Sequence, residues 1–317
     1  MKIKKTQKLK MGITKWTHQN HWRCLIIKKT IYKSEEGKRK ITQHYENYIK
    51  SLTFDVEQIY IDTSFGKTHM LVSGPVEGKP LFILQGGNCI NPMTLSWFSP
   101  LIETYRIYAP DTIGHPGYSD ENRISAKDSS FAQWITELMN FLNIEKCAFI
   151  GPSYGAGIIL RLAAFMPNKI DCSILVSPAG IQLGSKLEMI KNILFPLILF
   201  NTTSSEIYLN KITNIMSANS MKEMDKQIIG DIFKYIKLEQ EMPKLTEKKE
   251  LINYNAPTLI IAGKKDIFFP ESRLNKVAKE IISNLTAFKT FDMGHFPSEY
   301  YLMKINDEIK GFLNNNY

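Results

Sequence analysis

The feature that most constrains this chain is the run Gly151-Pro152-Ser153-Tyr154-Gly155 and its flanks. An apolar segment, residues 147–150, leads into Gly-x-Ser-x-Gly, and a helix-forming segment, residues 154–165, follows at once. That order fits a nucleophile elbow, a tight strand-to-helix turn that lifts a serine hydroxyl above a sheet. Such a turn forces the serine into a strained backbone conformation and demands small neighbours two residues away. Gly151 and Gly155 meet the demand. The helix that begins just beyond Ser153 aims its free N–H groups at negative charge developing there.

Two partners lie downstream. Residues 256–266 read as a buried strand, a Gly-Lys-Lys turn and Asp266. Residues 287–295 read as another strand, a turn and His295. A serine hydroxyl needs a base to take its proton as it attacks, and histidine suits that task. Of the six histidines, only His295 falls in a turn after a late strand. Asp266 would fix the imidazole tautomer and stabilise the imidazolium. Its plainer role would be a helix N-cap. The other strand end suited to an acid, after residues 174–176, holds Ser177 and Pro178. Open parallel sheets gather their chemistry at the carboxyl ends of strands, so Ser153, Asp266 and His295 can converge.

With two further loops, the pattern resembles the α/β-hydrolase superfamily, and within it bacterial serine carboxylesterases with a helical cap. The loops are Gln85-Gly86-Gly87-Asn88 and the Asp111-x-x-Gly114-x-x-Gly117-x-Ser119 stretch. The resemblance covers roughly residues 32–315. It implies an α/β fold, a mostly parallel sheet flanked by helices, with a helical cap insertion at about 181–250. It also implies an oxyanion hole from the Gly87 and Tyr154 N–H groups. Gln85 stands where the family usually has histidine, and Pro152 removes a backbone donor before the nucleophile.

Length suits one large domain with an insertion. The formal charge of +9 is unevenly spread. The first 50 residues hold 14 Lys+Arg against 3 Asp+Glu, and the remainder holds 26 against 28. The basic character therefore belongs to an N-terminal arm, residues 1–30, expected to be poorly ordered, and residues 31–317 form the hydrolase-like body. The near-neutral body gives no reason to expect nucleic acid. Lysines with Trp16 and Trp22 leave room for weak contact with an anionic membrane. No secretory pattern or membrane-length apolar run occurs, and Cys24, Cys89, Cys147 and Cys172 lack zinc spacing. The expectation is a cytoplasmic protein, monomer or homodimer, with no metal and no cofactor.

Along the body, a helix is expected around Ile41, Tyr45, Tyr48, Ile49 and Leu52, then a hairpin from residues 56–63 and 68–73. Strands at 81–84, 106–109, 147–150 and 174–176 alternate with helices at 92–101, 129–142 and 154–165. The alternation stops at Ile181 and resumes at Pro257, with helical patterns around 187–199 and 226–238 between. Residues 190–200 are apolar on nearly all sides, so Leu194, Phe195, Leu197 and Leu199 are expected to include residues that reach the substrate cavity; filling the cap's own core, or pairing two caps in a dimer, is the plainer alternative. Pro196 is expected to kink or end its helix. Asn88 and Trp97 are further candidates for substrate contact, although holding the turn and packing the core are the plainer roles. His115 is expected to be a turn residue.

The expected substrate is a small or medium carboxylic ester, cleaved through an acyl-enzyme by Ser153, His295 and Asp266. A thioester, an amide or a carbon–carbon bond is the alternative for the same residues. A catalytically silent receptor or scaffold is a more remote one. Ser153 in place of aspartate separates the chain from the dehalogenases and epoxide hydrolases of the superfamily.

Overall fold

The computed structural model describes residues 30–317. The expectations for the arm fall outside them. The described chain packs from its first residues: Ile31 and Tyr32 are buried, and the Ile31 N–H donates to the Glu121 carboxylate at 3.0 Å. Helix α1, Glu35–Ser51, opens on Ser34, whose hydroxyl accepts from the Gly37 N–H, with Glu35 and Glu36 in its first turn. Both features suit a helix N-terminus. Ile41, Tyr45 and Tyr48 form its buried face.

One eight-stranded sheet follows, in the spatial order β1-β2-β4-β3-β5-β6-β7-β8. Strands β1, Glu57–Thr63, and β2, Gly66–Ser73, form the hairpin, and β2 pairs antiparallel with β4, Tyr105–Pro110. The rest is parallel: β3, Lys79–Ile83, β5, Cys147–Pro152, β6, Ile170–Val176, β7, Thr258–Gly263, and β8, Leu285–Phe291. Central strands read as continuous apolar runs because both faces are covered. Alternate residues feed two cores. Ile83, Ile150, Ile174 and Ile261 face one side, and Phe82, Phe149, Leu175 and Ile260 the other.

Helices α3, Ser130–Phe141, α4, Tyr154–Phe165, and α9, Glu271–Ile281, cover the second core; α1, α2, Asn91–Ser96, and α10, Glu299–Asn316, cover the first. The helix expected over 92–101 is split, with α2 giving way to a separate short turn at Ser99–Leu101.

Between β6 and β7 the chain forms α5, Lys186–Met189, α6, Phe195–Thr203, α7, Glu206–Ser217, and α8, Glu223–Tyr235. Helix α7 was not anticipated. Its buried residues Leu209, Ile212, Thr213 and Met216 have helical spacing, but Ile207 is largely exposed and blurs the stripe. Pro196 does not end the helical run. A π turn, Ile190–Leu194, joins α5 to α6, and Pro196 sits in the first turn of α6. The wider π turn accommodates a residue that cannot donate to the helical ladder.

The elbow is tight at the level of single atoms. A Cβ on Gly155 would fall 2.4 Å from the Leu84 carbonyl oxygen, and one on Gly151 would fall 2.5 Å from the Gly155 carbonyl carbon. Helix α4 and the chain just past the end of β3 approach to contact distance only because no side chain stands between them. Gly155→Ala is therefore expected to destabilise the fold by about 2–3 kcal/mol. The check is a urea unfolding midpoint shifted downward with unchanged slope.

Candidate functional site

Ser153 sits between β5 and α4 with φ 51° and ψ −114°. Three backbone hydrogen bonds hold this left-handed geometry. The Ser153 N–H donates to the Val176 carbonyl at 2.9 Å, and the Ser153 carbonyl accepts from Gly157 and Ala179 at 3.2 and 3.1 Å. Strain of this kind persists only where the surroundings over-determine it.

Asp266 and His295 follow β7 and β8, and the structure brings them together. His295 Nδ1 lies 2.8 Å from Asp266 Oδ2, with the aspartate 2% exposed and the histidine 8%. The second carboxylate oxygen accepts from the Phe268 and Phe269 N–H groups at 2.8 and 3.1 Å. Burial alone would push this carboxyl up. The His295 partner, its hydrogen bond and the two N–H groups outweigh burial, and the net direction is down. A carboxylate at Nδ1 fixes that nitrogen as the donor and leaves Nε2 free to accept a proton. The His295 ring is packed by Phe268, Phe269 and Phe296, with centroids at 5.0, 5.6 and 5.9 Å.

Ser153 and His295 line one cavity of about 240 Å³. Gly87 and Tyr154 line it too. Tyr154 opens α4, so its N–H has no helical acceptor. The Gly86 N–H is taken by Thr94 Oγ1 at 3.2 Å, and Gly87, one residue on, keeps its N–H free among the described hydrogen bonds. A Cβ on Gly87 would fall 2.9 Å from the Tyr154 Cβ, which measures how closely the two donor-bearing segments abut.

Gln85 fills its place in the loop completely. Its Nε2 donates to the Cys89 carbonyl at 2.6 Å and the Pro116 carbonyl at 3.0 Å, and its Oε1 accepts from the Thr112 N–H at 2.7 Å. Asn88, at φ 50°, lines the cavity but spends its amide elsewhere. Its Oδ1 accepts from the Glu239 N–H at 2.7 Å and its Nδ2 donates to the Glu239 carbonyl at 3.2 Å. The loop bearing Gly87 is thus tied to the chain that returns from α8. Glu239, which the sequence reading missed, borders the cavity and pairs with Arg123 Nε at 3.0 Å. No regular pattern marks its segment.

The remaining wall is mainly apolar. Trp97 lines it, and so does Leu197. Leu194, Phe195 and Leu199 do not. Leu194 and Phe195 are 49% and 57% exposed and point to solvent, while Ile193, four residues before Leu197, takes the inner position. The inner face is an i, i+4 pair, and the intervening residues turn away with the helix. Cys89 also lines the cavity, where burial pushes its thiol up to about 12 and keeps it protonated. The Ser177 hydroxyl, at the strand end considered for an acid, lines the cavity with no hydrogen-bond partner among the described residues. His115 is buried outside the cavity lining, its ring 4.8 Å from that of Tyr154. Among the described residues, no group of three or more His, Cys, Asp or Glu is placed to hold a metal ion.

Residues 79–300 match the family model described as alpha/beta hydrolase fold. Over 291 residues the chain is 25% identical to the protein named "Uncharacterized carboxylesterase nap" from Bacillus subtilis, covering 86% of this chain and 92% of that one. Carboxylesterase YbfK from the same organism is 23% identical over 284 residues, covering 88% and 95%. The crystal structure of naproxen esterase (carboxylesterase NP) from Bacillus subtilis superposes with a TM-score of 0.74 at 19% identity, covering 88% of this chain and 99% of that one.

His115 gives this region an acid limit. Burial, then the nearby Arg123, lowers its imidazole to about 3. The unfolded chain binds this proton near pH 6.5 and the folded protein does not until about pH 3, so stability falls as pH drops through that window. The cost is about 1.6 kcal/mol between pH 6.5 and pH 5. Urea unfolding at the two values should show it for the wild type, and His115→Gln should lose most of the difference.

Proposed function

Because this chain belongs to the α/β-hydrolase family, and is a carboxylesterase-like hydrolase by its relatives, we propose that it cleaves small to medium carboxylic esters through an acyl-enzyme at Ser153. The observation that carries the reading is the left-handed Ser153 sharing one apolar cavity with an Asp266-paired His295.

In this reading, Ser153 Oγ attacks the ester carbonyl as His295 Nε2 takes its proton. The oxyanion forms between the Gly87 and Tyr154 N–H groups, which cost no reorganisation because backbone already fixes them. Asp266 stabilises the imidazolium. His295 protonates the departing alcohol, and a water activated by the same nitrogen releases the acid and restores Ser153. Helices α5–α8 act as the cap, since Ile193, Leu197, Met216, Ile229 and Phe233 supply the cavity's roof. At about 240 Å³ the cavity lies below the roughly 300–1,000 Å³ of drug-sized sites. That size favours short esters. The free, buried Cys89, Cys147 and Cys172 suit a reducing compartment, consistent with a cytoplasmic site of action.

Two measurements test this reading. Ser153→Ala should lower kcat for p-nitrophenyl acetate by about four orders of magnitude, with an unchanged melting temperature. A variant keeping a tenth of the wild-type turnover would overturn the assignment. Asn88→Ala removes both bonds from the Gly87 loop to Glu239. It should lower kcat about ten- to thirtyfold with KM changed less than threefold, because the loop's donor matters most once the oxyanion forms.

A further inference from the structure

A second cavity, of about 680 Å³, lies against the first. Trp97 and Phe296 border both. Their rings meet edge to face, centroids 5.6 Å apart and planes at 82°. Each is anchored through its backbone. The Trp97 carbonyl accepts from Asn306 Nδ2 at 2.8 Å, and the Phe296 N–H donates to the Met216 carbonyl at 3.0 Å. Both side chains are half-buried. Such a contact is weak enough for one ring to turn aside while the backbone stays in place.

The two cavities differ in chemistry. The first is apolar around the reacting serine. The second carries Tyr48, Ser96 and Asp225 on its wall. The Tyr48 hydroxyl donates to Asp225 Oδ1 at 3.1 Å and lies 3.2 Å from Ser96 Oγ. Asp225 is 7% exposed, while the cation at the rim, Lys222, pairs with Glu299 at 2.7 Å. A carboxylate sheltered this way favours a ligand group that donates hydrogen bonds, most strongly one bearing positive charge.

Direction follows from the reaction. His295 hands its proton to the leaving alcohol, so the alcohol part of the substrate lies on the histidine's side. Of the three rings packed around His295, Phe296 is the one that also borders the second cavity.

We propose that the Trp97–Phe296 pair is the partition that limits the length of the ester's alcohol part, and that the cavity beyond it is a binding site for a distal ammonium or hydroxyl group on longer alcohols, held by Asp225. The proposal rests on the hydrolase reading, and the experiment separates the two.

Acetate esters of straight-chain alcohols, two to ten carbons long, are compared with either a methyl or an ammonium end, alongside ethyl esters of lengthening acids. In the wild type, kcat/KM falls with methyl-ended alcohol length and falls less for ammonium-ended ones. Trp97→Ala and Phe296→Ala each raise the long-to-short ratio for alcohols at least tenfold and leave the acyl series unchanged. Trp97→Phe keeps the wild-type profile, and Trp97→Leu serves if the alanine variant does not fold. Asp225→Asn removes the ammonium preference, about tenfold, and leaves methyl-ended esters unaffected. Ratios within twofold of wild type in the folded partition variants would overturn the proposal, as would a gain confined to the acyl series. Calorimetric binding of a long amino alcohol to Ser153→Ala, with and without Asp225→Asn, needs no turnover. Binding weakened tenfold by Asp225→Asn, together with a wild-type enzyme that cleaves none of these esters, would sink the hydrolase reading alone. Equal binding by both would sink the second site.

Discussion

The left-handed backbone at Ser153 is the constraint to which the rest of the molecule answers. A serine pays for φ 51° in steric energy, and three backbone hydrogen bonds, to Val176 of β6, Gly157 of α4 and Ala179 in the loop after β6, hold it there. Those bonds require β6 to run alongside β5 to its last residue, which it does through the pair Pro152 and Val176. The same turn requires the chain just past the end of β3 to pass within contact of Gly155, and so places the Gly86-Gly87 loop beside the start of α4. Serine position, donor loop and helix N-terminus are one geometric problem with one solution.

A second tie runs from helix α4 to the chain returning over the cavity. Arg161 on α4 is fully buried, yet its guanidinium reaches Glu250 at 2.9 Å and Thr246 at 2.6 Å. Burial would raise the Glu250 carboxyl, but its bonds to the Glu247 N–H, Arg161 and Lys244 bring it down to about 2. Removing either partner would strand a charge, so this pair acts as a fixture more than a source of net stability. It anchors one end of the segment 238–250. The bridge between Tyr32 and Ile236 anchors the other. The segment that carries Glu239 to Asn88 is therefore tied to the body at both ends.

How much of this was legible in the sequence depended on the range of the interactions involved. The strands, the elbow and the positions of Asp266 and His295 are written in short stretches whose local chemistry permits few alternatives. Their pairing at 2.8 Å follows from strand ends that the order of the chain already implies. The cap was harder. The facing of Leu194 and Phe195 depends on helical phase, and the π turn at Ile190–Leu194 shifts that phase with an extra residue per turn. A uniformly apolar segment gives no way to read such a shift. Asn88 was visible as a turn residue, but its partner Glu239 lies 151 residues away in irregular chain, where no periodicity points back to it.

Gln85 has a consequence of its own. A primary amide presents two donors and an acceptor at once, and does so at every pH at which the protein is folded. It thereby joins the carbonyls of Cys89 and Pro116 to the N–H of Thr112 without exchanging a proton with solvent. An imidazole in the same place would have to choose a tautomer, and would rearrange its bonds on taking up charge. The Gly86-Gly87 loop is therefore backed, at Gln85, by a side chain whose charge and bonding pattern stay the same in acid and in alkali.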